Sequence, residues 1–377
     1  MKLDQSRPTR VAYLVHDLHD AAVQRRFTLL TGEGMDVRLG GFRRHGTAPG
    51  SQHSGQLDLG RTMDARLVRR AMSVLRHLIW PRSVRVLCRD VPVIMARNLE
   101  MLALACRVRT KGQRLVYECL DLHRLMLGSG FTSRLMRWME RRLLARTNLI
   151  LVSSPAFARE YFGSRQGCSN DVLLVENKVP SLPRAEGRRP REEGGTVIIG
   201  WFGMLRCRRS LQQLKTIVQQ ARGKVEVLVA GIPSPAEFPD FEAQVTARPG
   251  VTYLGPYTQD DLPALYARVD YVWAIDYFEE GLNSRWLLPN RLYEGIAHGV
   301  APIALRGVET GRWLEEHGVG LLVDDPVGEL ADKMLTLSDE AQRAMRLQLG
   351  RLPQEAVIQT APERRAIALA VAGCRDA

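Results

Sequence analysis

The residues best equipped for chemistry lie in one stretch, Pro289-Asn290-Arg291-Leu292-Tyr293-Glu294-Gly295-Ile296-Ala297-His298-Gly299-Val300-Ala301-Pro302-Ile303. It reads as a loop, a short helix, a glycine stop and a buried strand. Pro289 and Asn290 suit the first turn and cap of the helix, and Gly299 suits its left-handed end. Arg291 and Glu294 lie three apart, so on a helix they share one face at the first turn. That turn presents backbone N–H groups with no partner inside the helix, and the positive end of the helix dipole, a combination that favours a bound anion. A cation beside the turn neutralises phosphate. A carboxylate one turn later accepts hydrogen bonds from two ribose hydroxyls. Together these residues suit recognition of a nucleoside diphosphate.

Such a helix needs a sheet to hold it, and the chain carries the rhythm of one. Arg10-Val-Ala-Tyr-Leu-Val-His16 is a continuous apolar run, as expected of a strand buried on both faces. A loop and helix over 17–30 follow, then a strand over 36–40. Further short strands are expected at Val84–Cys88, Val91–Met95, Arg114–Glu118 and Leu149–Ser153, with helical stretches between most of them. Residues 44–60 read as a loop. This alternation implies a doubly wound parallel sheet. Pro180 to Gly195 is rich in Pro, Gly and charge without periodicity, so it reads as a linker between two domains. The boundaries that follow are 1–188, 189–350 and a helical tail over 351–377. The length of 377 residues accommodates two domains, each with its own core.

Glu118-Cys-Leu-Asp121-Leu-His123 follows an expected strand, so its polar groups fall at the strand's C-terminal end, facing the interdomain cleft. Asp121 is a candidate general base and His123 a candidate donor to phosphate or sugar. His16, Asp17 and His19 close the first strand and are further candidates; a helix cap by Asp17 or Asp20 is the alternative.

Charge is unevenly distributed. Residues 1–188 hold 32 Lys and Arg against 16 Asp and Glu, while residues 189–377 hold 21 against 25. A basic first half implies an anionic partner. Two stretches mix arginines with large apolar residues: Met63 to Trp80, and Ser133 to Arg146 with Arg134, Arg137, Trp138, Arg141 and Arg142. Each is either an interfacial helix on an anionic membrane or a domain helix with one core face and one solvated face. Nucleic acid is disfavoured, because no zinc, helix-turn-helix or ribonucleoprotein motif accompanies the charge. No apolar run is long enough for a membrane-spanning helix, and Met1 to Pro8 lacks an apolar signal region. A location in the cytoplasm, peripheral on the inner face of the cell membrane, is expected. The six cysteines lack C-x-x-C spacing, so neither a disulfide framework nor a metal site is expected. No G-x-G-x-x-G follows the first strand, which argues against dinucleotide-dependent hydride transfer.

Several pieces in order resemble the GT-B glycosyltransferases of the family-4-like kind: the segment 289–303, Val197 to Arg206 as first strand and Gly203 loop, Val225 to Gly231, Val251 to Tyr257, Asp261 to Asp270, and Gly318 to Val323. The likeness is clear over roughly 196–325, looser at 117–123 and 149–155, and is greatest to bacterial exopolysaccharide transferases of the succinoglycan type. It implies two Rossmann-like domains facing a cleft, the first binding acceptor and the second binding donor. The tail helix is expected to cross back onto the first domain. The implied reaction moves a sugar from a nucleotide sugar, UDP-linked by expectation, to a lipid-linked saccharide acceptor. No cofactor is implied. A metal is not expected to be required, since no D-x-D carboxylate pair appears and arginines plus a helix end do the same electrostatic work.

The resemblance also assigns residues. Arg209 stands at the family's phosphate-binding Lys position, Met204 replaces its Arg, and Arg206 is the nearby substitute. Trp286 stands where an earlier glutamate meets the donor sugar; Asp276, Glu279 and Glu280 lie upstream, with Asn283 between. Tyr257 is placed to flank the base. The donor-side set is thus Gly203, Arg206, Tyr257, Asn283, Asn290, Arg291, Leu292 and Glu294, with Arg209 and Arg291 joining Asp121 and His123 as catalytic candidates. A sugar-nucleotide epimerase of the same fold, or a catalytically inactive partner subunit, are the alternatives.

Overall fold

A computed structural model describes residues 8–43, 56–61, 74–183, 195–246 and 249–374. Two units emerge, residues 1–176 with 361–377, and residues 177–360. The first is built on a seven-stranded sheet in the order β3-β2-β1-β4-β5-β6-β7. Its strands are β1 (Arg10–Val15), β2 (Asp36–Arg43), β3 (Leu57–Arg61), β4 (Val93–Arg97), β5 (Arg114–Cys119), β6 (Leu149–Val152) and β7 (Asp171–Leu174). The second is a six-stranded sheet in the order β10-β9-β8-β11-β12-β13. It comprises β8 (Val197–Leu205), β9 (Val225–Pro233), β10 (Val251–Tyr253), β11 (Tyr271–Trp273), β12 (Ala301–Leu305) and β13 (Leu321–Val323). Every strand pair is parallel.

Strand order reverses between β1 and β4 in the first unit and between β8 and β11 in the second. The ends of those strands are where a doubly wound sheet opens a crevice for ligands. Right-handed crossovers send helices leftward and rightward of each switch onto opposite faces. In the first unit the helices Arg82–Cys88, Leu99–Val108 and Phe131–Leu144 pack in sequence, while Ala21–Gly32 packs with Ala361–Ala372. That last helix buries Ile367, Ala368 and Val371 in the same core as β1 and β4.

The structure corrects the sequence reading at several points. Val84–Cys88 is helix: Val84 and Cys88, four apart, are buried while Arg85 and Val86 face out, a period of helix and not of strand. The run 44–60 contains the start of β3; residues 44–55, most of Met63 to Trp80 (62–73) and the linker stretch 184–194 lie outside the described residues. The unit boundaries fall at 176/177 and 360/361 in place of 188/189 and 350/351. The reason is a bridge: Val179 pairs with Ile358, its N–H donating to Val357 O and its carbonyl accepting from Gln359 N, so the chain enters and leaves the second unit side by side. The helix Asp339–Arg351 stays with that unit, where Leu349 joins the core and Arg346 pairs with Asp270 at 2.6 Å.

Beneath the β1/β4 switch lies a buried charged cluster. Glu118 is fully buried and accepts from Arg26 Nε and Arg97 Nε, each at 2.8 Å, and from the Tyr13 hydroxyl. Burial alone would raise its pKa, but the two guanidinium groups outweigh that and hold the carboxyl at about 2. Arg97 also reaches Asp20 at 3.1 Å, and Asp20 caps the Ala21–Gly32 helix by accepting from Ala22 and Val23 N–H.

Candidate functional site

The second unit's switch point assembles most of the expected donor-side residues. Gly203 sits within β8, not in a loop after it, because the ladder with β9 runs on through Gly203↔Gly231 to Leu205↔Pro233. Two glycines permit this. Gly231 has φ +142°, and a Cβ there would lie 1.8 Å from Gly203 O; Gly203 has φ +113°, and the nearest atom to a Cβ on it is the Tyr257 hydroxyl at 3.9 Å. The backbone is therefore bare on the Tyr257 side, as close approach of a ligand requires.

The Asn290–Ala297 helix begins at Pro289, whose extended backbone occupies the cap position without a side-chain hydrogen bond; Asn290 is the first helical residue and is exposed. Neither residue caps the helix through its side chain. Gly299, at φ +69°, follows the C-terminal residue as expected.

Glu294 is buried and accepts from the Tyr266 hydroxyl at 3.4 Å. Arg291 Nη1 is buried with no hydrogen-bond partner among the described residues. A buried donor in that state costs free energy until an acceptor arrives, which is what a binding site provides. Burial pushes the Tyr257 hydroxyl up to about 12, with the Glu294 charge adding to the rise and Arg291 opposing it, so the three groups feel one another. Phe202 stands between Tyr257 and Tyr266, edge to face with both, at 6.5 and 5.2 Å between ring centres. Sequence reasoning missed Tyr266. Its position in the expected helix gave no sign that its hydroxyl turns toward Glu294. Leu292, by contrast, is fully buried in the core, so it supports the helix and does not line a ligand surface.

Arg206 and Arg209 follow β8, opposite the segment that leaves β11. Arg206 pairs with Asp276 at 3.7 Å and lies over the Phe278 ring at 4.6 Å. Arg209 pairs with Glu280 and lies over Tyr277 at 4.3 Å. The carboxylates upstream of Trp286 thus hold the two arginines. Asn283 is buried in a turn fixed by Ser284, whose hydroxyl accepts from Glu279 N–H at 3.0 Å and donates to Asp276 at 3.3 Å.

In the first unit, Asp121 is exposed just past β5, and His123 caps the short helix Arg124–Leu127 by accepting from Leu125 N–H at 3.2 Å. Of the arginines on the Phe131–Leu144 helix, Arg137 donates to Met126 O and Gly128 O at 2.8 and 2.7 Å, and Arg141 to Gln166 O at 3.0 Å. These two staple the helix to neighbouring loops, and Arg141 stays exposed. Arg134, Trp138 and Arg142 are exposed. Among the described residues no group of three or more His, Cys, Asp or Glu is placed to hold a metal ion, and no helix is long and apolar enough to cross a membrane.

Comparison with known proteins bears on the family and the fold. The family model described as glycosyl transferases group 1 matches residues 196–340. The chain is 42% identical over 327 residues to the succinoglycan biosynthesis protein ExoL of Rhizobium meliloti (strain 1021), covering 84% of this chain and 81% of that one. Among solved structures, sucrose-phosphate synthase from Thermosynechococcus elongatus superposes with a TM-score of 0.69 at 15% identity, covering 97% of this chain and 96% of the other. HepE of Anabaena, in complex with UDP and glucose, superposes with a TM-score of 0.67 at 16% identity, covering 96% and 99%. These likenesses show the fold.

Proposed function

The chain belongs to the group 1 glycosyl transferases and is a glycosyltransferase of GT-B fold, and from that premise we propose that it moves a sugar from a UDP-sugar to a lipid-linked saccharide at the inner membrane surface during exopolysaccharide assembly. The observation that carries the donor half is the meeting of Arg291, Glu294 and Tyr257 beside bare backbone at Gly203, with a helix start that no side chain caps. Glu294 takes the ribose hydroxyls. Arg291 and the first-turn N–H groups take the diphosphate, and Arg206 and Arg209 exchange Asp276 and Glu280 for phosphate oxygens. The choice of UDP is supported by the UDP bound in HepE. The exopolysaccharide setting is supported by the printed role of ExoL, and the anionic surface by the basic first half.

In the reaction the acceptor hydroxyl oxygen bonds to the anomeric carbon while the bond from that carbon to the diphosphate oxygen breaks. The electron pair leaves with UDP, and the arginines and helix dipole stabilise the charge that develops. The hydroxyl proton passes to a base, for which Asp121 is the candidate; His123 is the candidate donor to acceptor phosphate or sugar.

Calorimetric titration with UDP, GDP and ADP tests the donor half. Saturable binding of UDP is expected, weakened about 10- to 100-fold in Arg291→Ala, the range that follows from about 1.5–3 kcal/mol for a hydrogen bond to a charged group. Binding that Arg291→Ala and Glu294→Ala both leave unchanged would remove this site from the reading.

A further inference from the structure

The Phe131–Leu144 helix is turned the wrong way round for a domain helix. Its inward face carries Ser133, Glu140 and Leu144, while Phe131, Leu135, Trp138 and Met139 are 73, 43, 51 and 44% exposed. Those four recur at the spacing of one helical stripe. An ordinary surface helix buries its large apolar residues and turns its charges outward. Here the helix's one carboxylate is the buried group. Glu140 is 1% exposed, held by the Tyr117 and Tyr161 hydroxyls and by Gln166 Nε2.

The outward face is consequently free of acidic charge. Arg134, Arg142 and Arg146 are exposed on it, and Arg142 lies over the Trp138 ring at 5.1 Å. The stapling of Arg137 and Arg141 to backbone carbonyls locks this orientation. Through the Leu99–Val108 helix the same layer continues to the Arg82–Cys88 helix, where Val86 is exposed between Arg85 and Arg89, both also exposed.

From this we infer that the Phe131–Leu144 helix is the element that docks the protein on an anionic lipid surface, with Phe131, Leu135, Trp138 and Met139 entering the headgroup boundary and Arg134 and Arg142 contacting lipid phosphates. Exposed aromatic and aliphatic residues rimmed by arginine, on a helix whose one carboxylate is buried, match the chemistry of that boundary. A second copy of the chain fits less well, because a two-fold contact through this stripe would oppose like charges. The inference deepens the membrane-surface reading above and rests on it for its purpose, though the exposed stripe stands without it.

The test is co-sedimentation of the full chain with vesicles of phosphatidylglycerol and phosphatidylcholine, against phosphatidylcholine alone, without saccharide or nucleotide. Wild type is expected to bind the anionic vesicles in a salt-sensitive way. Phe131→Ser with Trp138→Ser should weaken partition at least tenfold. Arg134→Gln with Arg142→Gln should remove the preference for anionic lipid. Hydrogen-exchange protection in β1 and β4 should match wild type in both double variants, which shows that the first unit, where the helix lies, still folds. Failure of wild type to bind, or equal binding by the aromatic double variant, overturns the inference. So does a dimer in solution that the aromatic variant dissolves while vesicles are ignored. Because the vesicles carry no donor or acceptor, this outcome is independent of whether the UDP titration succeeds.

Discussion

Glu294 and Glu118 are both buried carboxylates, and the difference between them separates binding from support. Glu294 has a tyrosine hydroxyl at 3.4 Å and lies beside a guanidinium nitrogen-bearing residue whose Nη1 lacks a hydrogen-bond partner among the described residues. Glu118 is enclosed by Arg26, Arg97 and Tyr13, and Asp20 supplies the second negative charge on Arg97. Its role is mechanical, fixing through Arg97 and Asp20 the loop that closes β1. A carboxyl held at about 2, against 4.5 unperturbed, favours the folded state above the unfolded pKa and loses that contribution as pH falls toward 2. The shift corresponds to about 3 kcal/mol. Glu118→Gln should therefore flatten the fall of stability between about pH 4.5 and 2. At pH 7 it should also lower stability by about 3–5 kcal/mol, since two buried guanidinium groups lose their counter-charge. Urea unfolding of both proteins across that pH range measures the difference, and parallel curves would show that Glu118 does not carry the acid sensitivity.

At the scale of elements, β8 and β9 show how a backbone can make a site. Their pairing at Gly203 and Gly231 brings the chains so close that position 231 has no room for a Cβ, whereas position 203 is open toward Tyr257. Gly231→Ala should therefore cost about 3 kcal/mol or more through strain and collision. Gly203→Ala meets no such collision; it should disturb the fold less and reduce UDP affinity more. A pair of unfolding curves and UDP titrations separates the two, and equal effects of both variants on both readouts would contradict this division of labour. The helix and glycine stop at 290–299 were legible because charge spacing and a glycine's left-handed preference are local, although the side-chain cap expected at its start is not made. Val84–Cys88 was misread as strand because five residues are too few for periodicity to separate strand from helix. The pairing of Arg206 and Arg209 with Asp276 and Glu280, and the approach of Tyr266 to Glu294, were not legible. They depend on which strands neighbour each other, and that is fixed by packing across some 70 and 28 residues of sequence.

For the molecule as a whole, the division at 176/177 and 360/361 means that one unit is made from both ends of the chain. The Ala361–Ala372 helix completes the first unit by burying Ile367, Ala368 and Val371 against the β1 and β4 core. It is fastened by Arg364 to Glu33 at 3.4 Å and by Arg114 to the Ala370 carbonyl at 3.0 Å. The ion pair is partly exposed and adds little. Full burial of an aliphatic side chain stabilises by about 1.5–3 kcal/mol, so Ile367 and Val371 together contribute a large share of a typical domain's 5–15 kcal/mol. The second unit keeps its own terminal helix, Asp339–Arg351, and the Val179–Ile358 bridge. Ending the chain at Thr360 should accordingly act on one unit alone. The first unit's unfolding should move to markedly lower denaturant, or that unit should fail to fold, while UDP binding and hydrogen-exchange protection in residues 197–305 persist. Equal loss of protection in both units would mean that they fold as one cooperative body. Unchanged protection in β1 and β4 would mean that the returning helix is an appendage and that the first core closes without it.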